Sequence, residues 1–594
     1  MTASPVRATS RLTFDIREIP FSYRGSWLNL SRVTGLRTSG SDIHLVSHTN
    51  GMHAVLAMEP IAHGATVEAT WHAAPGSFRW TTGDGASVAA AFDGPTVLRI
   101  RGRGLGLRLR DAAPGLTPFT GDYLFTDPVD GATVLTSYET GRRYRVTRIT
   151  GAFDVVGEEA LGVAERAVVA GGNGGDWELA IEETTASSPS FIPATTFDSV
   201  VERAEAAFTD YLDLLAPWRD ERTPASALAA YVLWSATVSP SGFLTRESVL
   251  MSKHWMDKVW SWDHCFNALA LAPGLPDEAL DQFLAPFDYQ DVTGALPDSV
   301  THSEVLYNYV KPPIHGWTLR RFRATAGRDL DQRELSLVFD KLAAWSLFWL
   351  ERRRRPDHTL PYYQHGNDSG WDNATTFDLD RVIEAPDLAA FLVLQLETLA
   401  DLAVELGRPD ERWRKERDEL LAALLEQLWH DGGFVAVGAL SGRRSTSTSL
   451  LALMPIVLGD RLPPSVLDAL ASRLADHLTA FGLATEPVTS SQYESDGYWR
   501  GPIWAPSTAL LEDGLRRAGY TDLADTVSDR FLALCERSGF AENFDARTGA
   551  GLRDRAYTWT AAVYLMFGAQ LGDAADVRPD TVPEGARRAV RPGQ

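Results

Sequence analysis

Asp372 is the first residue whose surroundings suggest acid–base chemistry. It lies in GNDSGWDN, where Trp371 places a large apolar face beside the carboxyl group. An apolar neighbour raises a carboxyl pKa by desolvation, and an acid that donates protons near neutral pH needs a raised pKa. Clusters of Asp, Asn and Gly also form ordinary helix-capping turns. The motif alone therefore leaves an acid catalyst and a turn residue both open.

Glu542 offers a second carboxyl group, 170 residues after Asp372 along the chain. It lies in FAENFDARTGAG, a polar insertion between two apolar helical segments. Glycoside hydrolysis generally needs such a pair, with one acid at the leaving oxygen and one base or nucleophile at the anomeric carbon. A single loop glutamate is usually only solvated. Three other glutamates compete for this role, namely Glu304, Glu486 and Glu494.

Aromatic side chains are concentrated in the same loops, beside the polar residues Asp263, Asn373 and Arg500. Sugars present apolar C–H faces ringed by hydroxyls, so sugar sites combine flat aromatic rings with fixed polar groups. Tryptophan in helices is more often plain core packing, but buried polar neighbours must then be satisfied. The pattern favours a carbohydrate site. The aromatic residues concerned are Trp255, Trp260, Trp262, Trp371, Tyr498, Trp499, Trp504, Tyr557 and Trp559.

Other chemistries lack their characteristic motifs. The sequence has no GxxxxGK[ST] loop and no strand-linked GxGxxG, and it has neither HExxH nor a CxxC pair. These motifs carry phosphate binding and metal binding, so we expect no cofactor and no metal. The two cysteines, Cys265 and Cys535, lie in apolar helical stretches where a buried free thiol is the usual state.

The charge and hydropathy of the chain limit its partners and location. With 56 basic against 78 acidic residues, the formal charge of −22 opposes binding to nucleic acid and to anionic membranes. The first residues have no apolar run of signal-peptide length, and no later stretch approaches the roughly 20 apolar residues of a membrane helix. We expect a soluble, cytoplasmic protein that takes a carbohydrate substrate, while the oligomeric state is left open.

The N-terminal third reads as β-structure. Runs such as TVLRIRGRGLGLRLRD alternate apolar and polar residues and are separated by Gly, Pro, Asn and Asp. Many short strands without helical periodicity predict an antiparallel β-sandwich domain over residues 1–196. A linker helix is expected over 197–222, with Ser199 and Glu202 spaced as a capping box. Thr223 and Pro224 are expected to begin the next helix.

The rest of the sequence has the pattern of helices, and these helices are expected to position the polar loops. We expect a catalytic domain over 223–575 and a loose Pro-rich tail over 576–594. Twelve helices form six hairpins, which can close into a ring with apolar inner helices and amphipathic outer ones. The loops at one end of such a ring converge on a funnel. The expected helices are 225–238, 259–271, 276–290, 316–326, 329–354, 386–406, 410–429, 447–458, 463–475, 502–519, 521–538 and 556–571.

Four segments in this half resemble motifs of a known family. WSWDHCFNALAL, SGWDN, GYWRGPIWAPS and ENFDARTG are similar, in the same order, to motifs of the inverting (α/α)6 enzymes of glycoside hydrolase family 63 and of their trehalase and mannosylglycerate hydrolase relatives. The resemblance covers most of residues 225–570. It implies an N-terminal β-sandwich joined to an (α/α)6 toroid, and an exo-acting glycosidase that inverts the anomeric carbon. Inversion implies a water held between carboxyls about 6.5–9.5 Å apart.

The resemblance also implies roles for single residues. Asp372 matches the general acid of the SGWD motif, and Glu542 matches the general base of the ENFDP motif. Other matched positions would hold the terminal sugar or line the funnel. These are Trp262, Asp263, Lys311, His315, Gln364, Trp371, Asn373, Trp499, Arg500, Trp504 and Trp559. Two departures, Asp368 in DSGWD where trehalases carry ESGWD and Ala546 in place of a proline, leave both carboxyls intact and bear on the substrate.

Several functions fit these residues. The leading hypothesis is an α-glycosidase that releases a terminal sugar, with glucose preferred over mannose, from a short oligosaccharide or small glycoside. An inverting glycoside phosphorylase would use phosphate and need no base at Glu542. A sugar epimerase would use histidines as proton carriers, and a silent sugar-binding module would need neither carboxyl. The histidines concerned are His254, His264, His302, His315 and His365.

Overall fold

The computed structural model describes residues 12–113, 115–158, 161–162, 165–186, 189 and 191–576. These residues form two compact units. The first contains the chain up to Asp213 together with Ala230–Ser239 and Ser252–Asp257. The second contains Leu214–Ala229, Pro240–Met251 and the chain from Lys258 onward.

The first unit is built on two antiparallel eight-stranded sheets. One has the order β1-β2-β3-β4-β10-β15-β14, with β5 paired to β4, and the other has the order β11-β12-β13-β16-β9-β8-β7-β6. The predicted β-sandwich is therefore confirmed. The strands are β1 Phe21–Ser22, β2 Leu28–Gly35, β3 Thr38–Ser47, β4 His53–Ala62, β5 Ala65–Thr66, β6 Thr70–Ala74, β7 Ser77–Thr81, β8 Ser87–Phe92, β9 Val97–Arg103, β10 Gly106–Asp111, β11 Asp122–Thr126, β12 Thr133–Ser137, β13 Arg143–Thr150, β14 Phe153–Val156, β15 Ala167–Ala170 and β16 Trp177–Thr184.

Both sheets contribute to one apolar core, as the alternating sequence predicts. Trp80, Leu107 and Trp177 are among its buried members, and the Trp177 indole donates to the Leu105 carbonyl at 2.8 Å. Helix α1, Phe197–Leu215, follows the last strand. It begins two residues before Ser199, because the Thr196 hydroxyl rather than the Ser199 side chain accepts the capping bond, from the Ser199 N–H at 3.2 Å.

Apart from the four-residue helix α7, which was not predicted, the helices after α1 agree closely with the predicted segments. Helix α2 begins at Ser226, after a turn in which the Ser226 hydroxyl donates to the Thr223 carbonyl, so it starts later than the Thr223–Pro224 signal suggested. The helices are α2 Ser226–Ala236, α3 Asp263–Leu271, α4 Pro276–Leu284, α5 His315–Thr325, α6 Gln332–Leu347, α7 Gly366–Ser369, α8 Pro386–Glu405, α9 Glu411–Gln427, α10 Pro464–His477, α11 Ala505–Arg517, α12 Thr521–Ser538 and α13 Thr558–Asp576.

Six inner elements of the second unit close into a ring. Going round it, α3 contacts α5, α5 contacts α8, α8 contacts the 3-10 segment Leu450–Arg461, that segment contacts α11, α11 contacts α13, and α13 returns to α3. Five outer helices, α4, α6, α9, α10 and α12, pack against these inner elements. Every residue of α3 is buried, whereas α9 buries only four, so the inner and outer patterns match the predicted (α/α)6 toroid.

Four predicted helices differ in detail. The expected helix at 259 begins only at Asp263, because Val259–Trp260 pairs with Ser299–Val300 as a short strand. The segment expected at 447–458 is the 3-10 stretch Leu450–Arg461, which contains Pro455. Helix α4 continues as the 3-10 turn Ala285–Tyr289, and α6 continues as the π-helical turn Phe348–Arg352.

Both cysteines are buried and free. Among the helices that the structure describes, none combines the length and hydrophobicity that crossing a bilayer requires. Asp576 ends α13, and the rest of the predicted tail over 576–594 lies outside the described residues.

Candidate active site

The backbone of Glu542 is fixed from three sides. Glu542 comes just before a two-residue strand, Asn543–Phe544, which pairs with Gly551–Leu552. Its N–H donates to the Asp554 carbonyl at 2.7 Å, and its own carbonyl accepts from the Trp559 indole at 3.3 Å. The residue is 3% exposed. The polar insertion seen in the sequence is therefore a rigid hairpin that holds a buried carboxyl group.

The environment of Glu542 favours its protonated form. Burial, and then the nearby negative charge of Asp554, raise the pKa of Glu542 to about 7. The Arg553 cation and a hydrogen bond from the Tyr498 hydroxyl act in the opposite direction. A carboxyl group poised near neutral pH is suited to proton transfer.

The Asp372 loop depends on two glycines. Gly370 follows the short helix α7 with φ +75°, and a Cβ there would lie 2.6 Å from the Trp262 ring. A Cβ at Gly366 would lie 2.3 Å from the Asp372 carbonyl oxygen. The Ser369 hydroxyl donates to the Gly366 carbonyl at 2.7 Å and accepts from the Trp371 N–H. The turn interpretation and the functional interpretation of this motif are compatible, because the turn is what presents Asp372.

Asp372 lies beside a buried lysine and further carboxylates. Desolvation raises the pKa of Asp372 although its side chain keeps partial exposure, and the Lys311 cation opposes this rise. Lys311 is 6% exposed, and its ammonium lies 3.0 Å from Asp298 Oδ1 and donates to the Asn367 carbonyl at 2.9 Å. Asp263 is also buried, and burial raises its pKa to about 8. The positive charge of Lys311 therefore offsets the negative charges of the acidic cluster that includes Asp372.

Asp368 ties the Asp372 loop to the loop that carries Lys311. Its Oδ1 accepts from the Val310 N–H at 3.1 Å, and its Oδ2 accepts from the Gln364 N–H at 2.9 Å and from Arg353 at 2.7 Å. Asp368 is 1% exposed. Asp368, where this chain departs from the ESGWD pattern, is thus one partner of a buried ion pair and connects the two loops.

Five of the predicted tryptophans form one aromatic cluster. Trp499 stacks on Trp504 with ring centroids 4.0 Å apart and lies 4.6 Å from Trp371. Trp262 approaches Trp499 and Trp559 at 6.2 and 6.0 Å. All five are at most 4% exposed, so their broad faces mostly pack against one another. The cluster joins the segments that carry Asp372 and Glu542, and direct contact of its rings with a sugar stays a prediction.

Asn373 clamps the Asp372 loop onto the segment 497–500. Its amide donates to the Gly497 carbonyl and its side-chain carbonyl accepts from the Trp499 N–H, both at 3.0 Å. Arg500 adds a bond to the Asn373 carbonyl at 2.8 Å and an ion pair with Asp378. Arg500 therefore has a positioning contact in the structure, and its predicted bond to the sugar is not tested by these contacts.

Tyr498, inside this clamp, lies within electrostatic reach of both carboxyls. It has a left-handed backbone, with φ +62°. Desolvation and then the negative charges of Glu542 and Asp372 raise the pKa of its hydroxyl well above the usual range. Further along the chain the same segment bonds to the Glu542 hairpin, since the N–H and carbonyl of Ile503 pair with Phe544. One continuous set of hydrogen bonds thus fixes Asp372 relative to Glu542.

The other predicted residues have distinct positions. Gln364 is exposed. His315 is fully buried at the start of α5, edge-on to Phe283, Phe287 and Trp345. Its ring packs between aromatic side chains of the helical domain, and its place in the funnel stays a prediction.

The competing glutamates differ from Glu542. Glu304 and Glu494 are exposed. Glu486 is fully buried, but both its oxygens are occupied by the hydroxyls of Thr375 and Thr448. A carboxylate that is fully engaged by neighbouring hydroxyls fits a structural role. Glu542 is the better candidate for the second catalytic carboxyl.

Sequence reasoning missed Asp298 and Asp554, whose charges act on Asp372 and Glu542, and Arg353, which pairs with Asp368. No motif marked them, and their proximity arises only from the fold. Within the described residues no group of three or more His, Cys, Asp or Glu side chains has a metal-binding arrangement.

A closed ring of paired helices, with two carboxyls of raised pKa in its loops, defines a glycoside hydrolase of the (α/α)6 class. Comparison with known proteins agrees. Residues 256–560 match the mannosylglycerate hydrolase MGH1-like glycoside hydrolase domain. The chain belongs to this family.

Individual relatives extend the comparison. The mannosylglycerate hydrolase of Rubrobacter radiotolerans is 25% identical over 400 residues, and the match covers 52% of this chain and 89% of that protein. The glucosylglycerate hydrolase of Mycolicibacterium hassiacum is 22% identical over 58% of this chain and 97% of that protein.

Two solved structures share the fold. A mannosylglycerate hydrolase of Thermus thermophilus, solved with glucose, has a TM-score of 0.52 and 21% identity, and the match covers 58% of this chain and 99% of that one. A bacterial glucoamylase solved with acarbose has a TM-score of 0.63 and 11% identity over 96% of both chains. The glucoamylase therefore shares the fold of nearly the whole chain, β-domain included.

Proposed function

We propose that this glycoside hydrolase is an exo-acting, inverting α-glycosidase that removes one terminal sugar, preferably glucose, from a small α-glycoside. The proposal rests on two carboxyl groups with raised pKa values, those of Asp372 and Glu542. A continuous set of hydrogen bonds through Asn373 and the 497–503 segment connects the loops that carry them. Inversion requires one carboxyl to protonate the leaving oxygen and the other to activate water.

In the proposed mechanism Asp372 protonates the glycosidic oxygen and Glu542 takes a proton from the attacking water. Water attacks the anomeric carbon as the bond to the aglycone breaks, so an α-glycoside yields a β-sugar. Tyr498 donates a hydrogen bond to Glu542 and so orients the base. Two features support the ionised form of Glu542 during attack: this hydrogen bond and the Arg553 cation.

One observation favours the reverse division of labour. Lys311 opposes the rise in the pKa of Asp372, whereas Glu542 has a pKa of about 7 and would carry a proton more readily. Asp372 would then be the base and Glu542 the acid. Family resemblance favours the first assignment. Leaving groups that need no proton distinguish the two, because only the base variant loses activity on them.

The surroundings of Asp372 also suggest an anionic aglycone. Arg381 is exposed, and its guanidinium lies 3.3 Å from His365 Nε2. The His365 ring stacks on Tyr309 with centroids 5.1 Å apart, and its Nδ1 accepts from the N–H of Asn367, in the loop that carries Asp372. Since the acid contacts the leaving group, cations on its side would meet a carboxylate of the aglycone. Glucosylglycerate and mannosylglycerate, named for the relatives, are therefore the first substrates to test.

Proton NMR of the first product tests the proposal. With glucosylglycerate, mannosylglycerate and trehalose as substrates, we expect the β-anomer to appear before mutarotation, at a rate that inorganic phosphate does not change. From a glycosylglycerate, an α-anomer as the first sugar would exclude inversion. Trehalose also releases its leaving glucose as the α-anomer, so inversion there predicts equal amounts of α- and β-glucose, and α-glucose alone would exclude it. A sugar phosphate formed only with phosphate would identify a phosphorylase instead, and interconversion of free sugars would identify an epimerase.

Arg381→Gln tests the charged aglycone separately. We expect it to raise KM for a glycosylglycerate about tenfold, as loss of a charge-assisted hydrogen bond would, and to leave trehalose hydrolysis unchanged. An equal effect on both substrates would place Arg381 outside aglycone recognition without affecting the proposed reaction.

A further inference from the structure

Two residues with an unusual backbone conformation contact each other near the carboxyl group of Glu542. Seven non-glycine residues of the described chain have a positive φ, and five of these are exposed. The other two are Tyr498, with φ +62°, and Arg553, with φ +60°, and neither is exposed. The left-handed conformation is unfavourable for a residue with a side chain unless its surroundings hold it, and such residues are concentrated at functional sites.

Arg553 is an extra residue in the hairpin that carries Glu542. Asn543 pairs with Leu552, and the Glu542 N–H donates to the Asp554 carbonyl at 2.7 Å, so Arg553 lies between two consecutive cross-strand contacts. This is the arrangement of a β-bulge, in which glycine often takes the left-handed position. Bulges of this kind frequently redirect a side chain beside an active site. Since an arginine is strained where a glycine would not be, the contacts of its side chain are of interest.

The Arg553 side chain contacts three residues at once. Its guanidinium carbon Cζ lies 4.8 Å from the centre of the Tyr498 ring. Its Nη1 lies 2.6 Å from Asp496 Oδ1 and donates to Asn543 Oδ1 at 3.2 Å, and its Nη2 donates to the Asp496 carbonyl at 3.3 Å. The Arg553 side chain is 16% exposed, and that of Asp496 is 68% exposed. A planar guanidinium can stack on a ring and donate hydrogen bonds from its edge at the same time.

Tyr498 connects Arg553 to the carboxyl group of Glu542. The Tyr498 hydroxyl donates a hydrogen bond to Glu542, and the Tyr498 carbonyl accepts one from the Trp504 indole at 2.9 Å. The Tyr498 ring also lies 4.9 Å from the Trp504 ring. The guanidinium of Arg553 and the indole of Trp504 together restrict the Tyr498 ring. The direction of its hydroxyl therefore depends on Arg553.

We propose that Arg553 is a positioning residue for the reaction, because it holds the Tyr498 ring with the hydroxyl facing Glu542. The Asp496 carboxylate holds Arg553 in turn. This inference rests on the proposed function, since it gives Glu542 a part in proton transfer, but it is the same whether Glu542 is the base or the acid. Arg553 acts through Tyr498 and has no need to touch the sugar.

Steady-state kinetics of matched variants test the proposal, with whichever of glucosylglycerate, mannosylglycerate and trehalose the wild type hydrolyses. Arg553→Met should lower kcat about tenfold or more, since small displacements of catalytic groups have effects of this size. Asp496→Asn should lower it about two- to fivefold, as a mostly exposed ion pair allows. Arg547→Met is the control, because Arg547 lies in the same hairpin with its Cζ 4.7 Å from the Tyr493 ring, and kcat should not change. Equal losses for Arg547→Met and Arg553→Met would overturn the proposal.

A double-mutant cycle shows whether Arg553 acts through Tyr498. In the Tyr498→Phe background Arg553→Met should lower kcat much less, since no hydroxyl is left to be positioned. The full loss in that background would mean that Arg553 acts directly on Glu542, and the positioning role would be wrong. Wild-type kcat in Arg553→Met would also exclude it.

Arg553→Gly separates the side chain from the backbone. Glycine adopts φ +60° without strain, so this variant should fold and yet lose as much kcat as Arg553→Met. If Arg553→Gly kept wild-type kcat, only the backbone conformation would matter, and the side chain would have no positioning role.

The pH dependence of kcat/KM gives a further test. The charged and titratable groups that act on Glu542 are Asp554, Arg553, Tyr498 and Tyr557. Loss of the Arg553 cation raises the pKa of Glu542, so the limb of the profile that Glu542 controls should move to higher pH, for a base and for an acid alike. Arg547→Met should keep the wild-type profile. An unchanged profile in Arg553→Met would contradict the proposal.

The pH dependence of unfolding keeps this inference separate from the proposed function. A wild type that hydrolyses none of the three glycosides would contradict the proposed function alone. Because Arg553 lowers the pKa of Glu542 in the folded chain, the loss of stability with rising pH should continue to a higher pH in Arg553→Met than in the wild type. In the Glu542→Gln background this difference should disappear. Curves that coincide for Arg553→Met and the wild type would overturn the role of Arg553.

Discussion

The side-chain carbonyl of Asn373 accepts a hydrogen bond from the backbone N–H of Trp499 at 3.0 Å. Through this bond, the loop that carries Asp372 is held to the segment that pairs with the Glu542 hairpin. The distance between the carboxyl groups of Asp372 and Glu542 therefore depends on the side-chain amide of Asn373, whether or not this amide contacts the substrate.

Asn373→Ala should reduce kcat/KM by about 10–100-fold, because small displacements of a catalytic group have effects of this size. Thermal unfolding should change little, since Asn373 is exposed. The comparison of steady-state kinetics with the melting temperature checks this. Unchanged kcat/KM would show that the clamp is not needed for alignment.

Asp372→Asn and Glu542→Gln should respond differently to the leaving group. Asp372→Asn should lose about 10²–10⁴ in rate on a natural glycoside, the usual contribution of a general acid, and keep much more activity on a glycosyl fluoride. Glu542→Gln should lose activity on both. The reverse pattern would assign the acid to Glu542, and activity retained by Glu542→Gln on both would move the base to another glutamate.

The pH dependence of kcat/KM should reveal Glu542. A base must be ionised, so activity should fall as the pH drops below the pKa of Glu542, about 7. Tyr498→Phe removes a hydrogen bond that lowers this pKa, and should therefore move the fall to higher pH. Tyr493→Phe, in the same loop, is the control and should keep the wild-type profile. Identical profiles for all three would separate Tyr498 from the base.

Stability should also depend on the ionisation of Glu542. Folding raises its pKa from 4.5 to about 7, so the folded state favours the protonated form. The stability this group contributes is complete below pH 4.5 and is lost as the pH rises through 7, a loss of about 3 kcal/mol at about 1.36 kcal/mol per pKa unit. Glu542→Gln stays neutral. Its free energy of unfolding relative to wild type should be more favourable at pH 8 than at pH 4.5, and an equal difference at both pH values would contradict this.

Asp368→Asn should lower both stability and activity. Breaking a buried ion pair costs about 3–5 kcal/mol, and the loss would also release the loop that places Lys311 beside Asp372. The control is Asp513→Asn, which disturbs a buried aspartate held by Arg321 and Trp317 away from the carboxyl pair. Both variants should melt earlier, but only Asp368→Asn should lose kcat per folded molecule. Equal kcat losses would mean that Asp368 acts through stability alone.

Local sequence patterns predicted most of the helical ring. The run from Pro386 to Glu405 is buried on nearly all sides, and the run from Glu411 to Gln427 on one stripe, so their inner and outer positions follow from composition. The pattern failed where a partner distant in sequence decides the conformation. Val259–Trp260 is apolar enough for a helix, but it forms a strand because it pairs with Ser299–Val300.

The same limit applies to the site. Asp372 and Glu542 were visible because each lies in a motif with aromatic and glycine neighbours. Asp298 and Arg353 lie in ordinary sequence, and they matter only because Lys311 and Asp368 reach them in the folded chain. His315 belongs to a conspicuous motif and packs among Phe283, Phe287 and Trp345, and residue type alone does not tell a ligand-facing histidine from a core one.

The first unit includes a segment that comes after α1 in the sequence, Ala230–Ser239. The two units therefore cannot be separated by a single cut in the chain. Tyr231 and Trp234 of α2 are almost completely buried there, against Phe14, Tyr23 and Phe208. A gene shortened to begin near residue 223 would thus encode a protein with two large aromatic rings stripped of their partners. The Thermus thermophilus hydrolase matches only 58% of this chain, but we expect trimming the chain to that length to leave an insoluble remnant rather than a smaller enzyme. We therefore expect the β-domain to be required for this chain to fold.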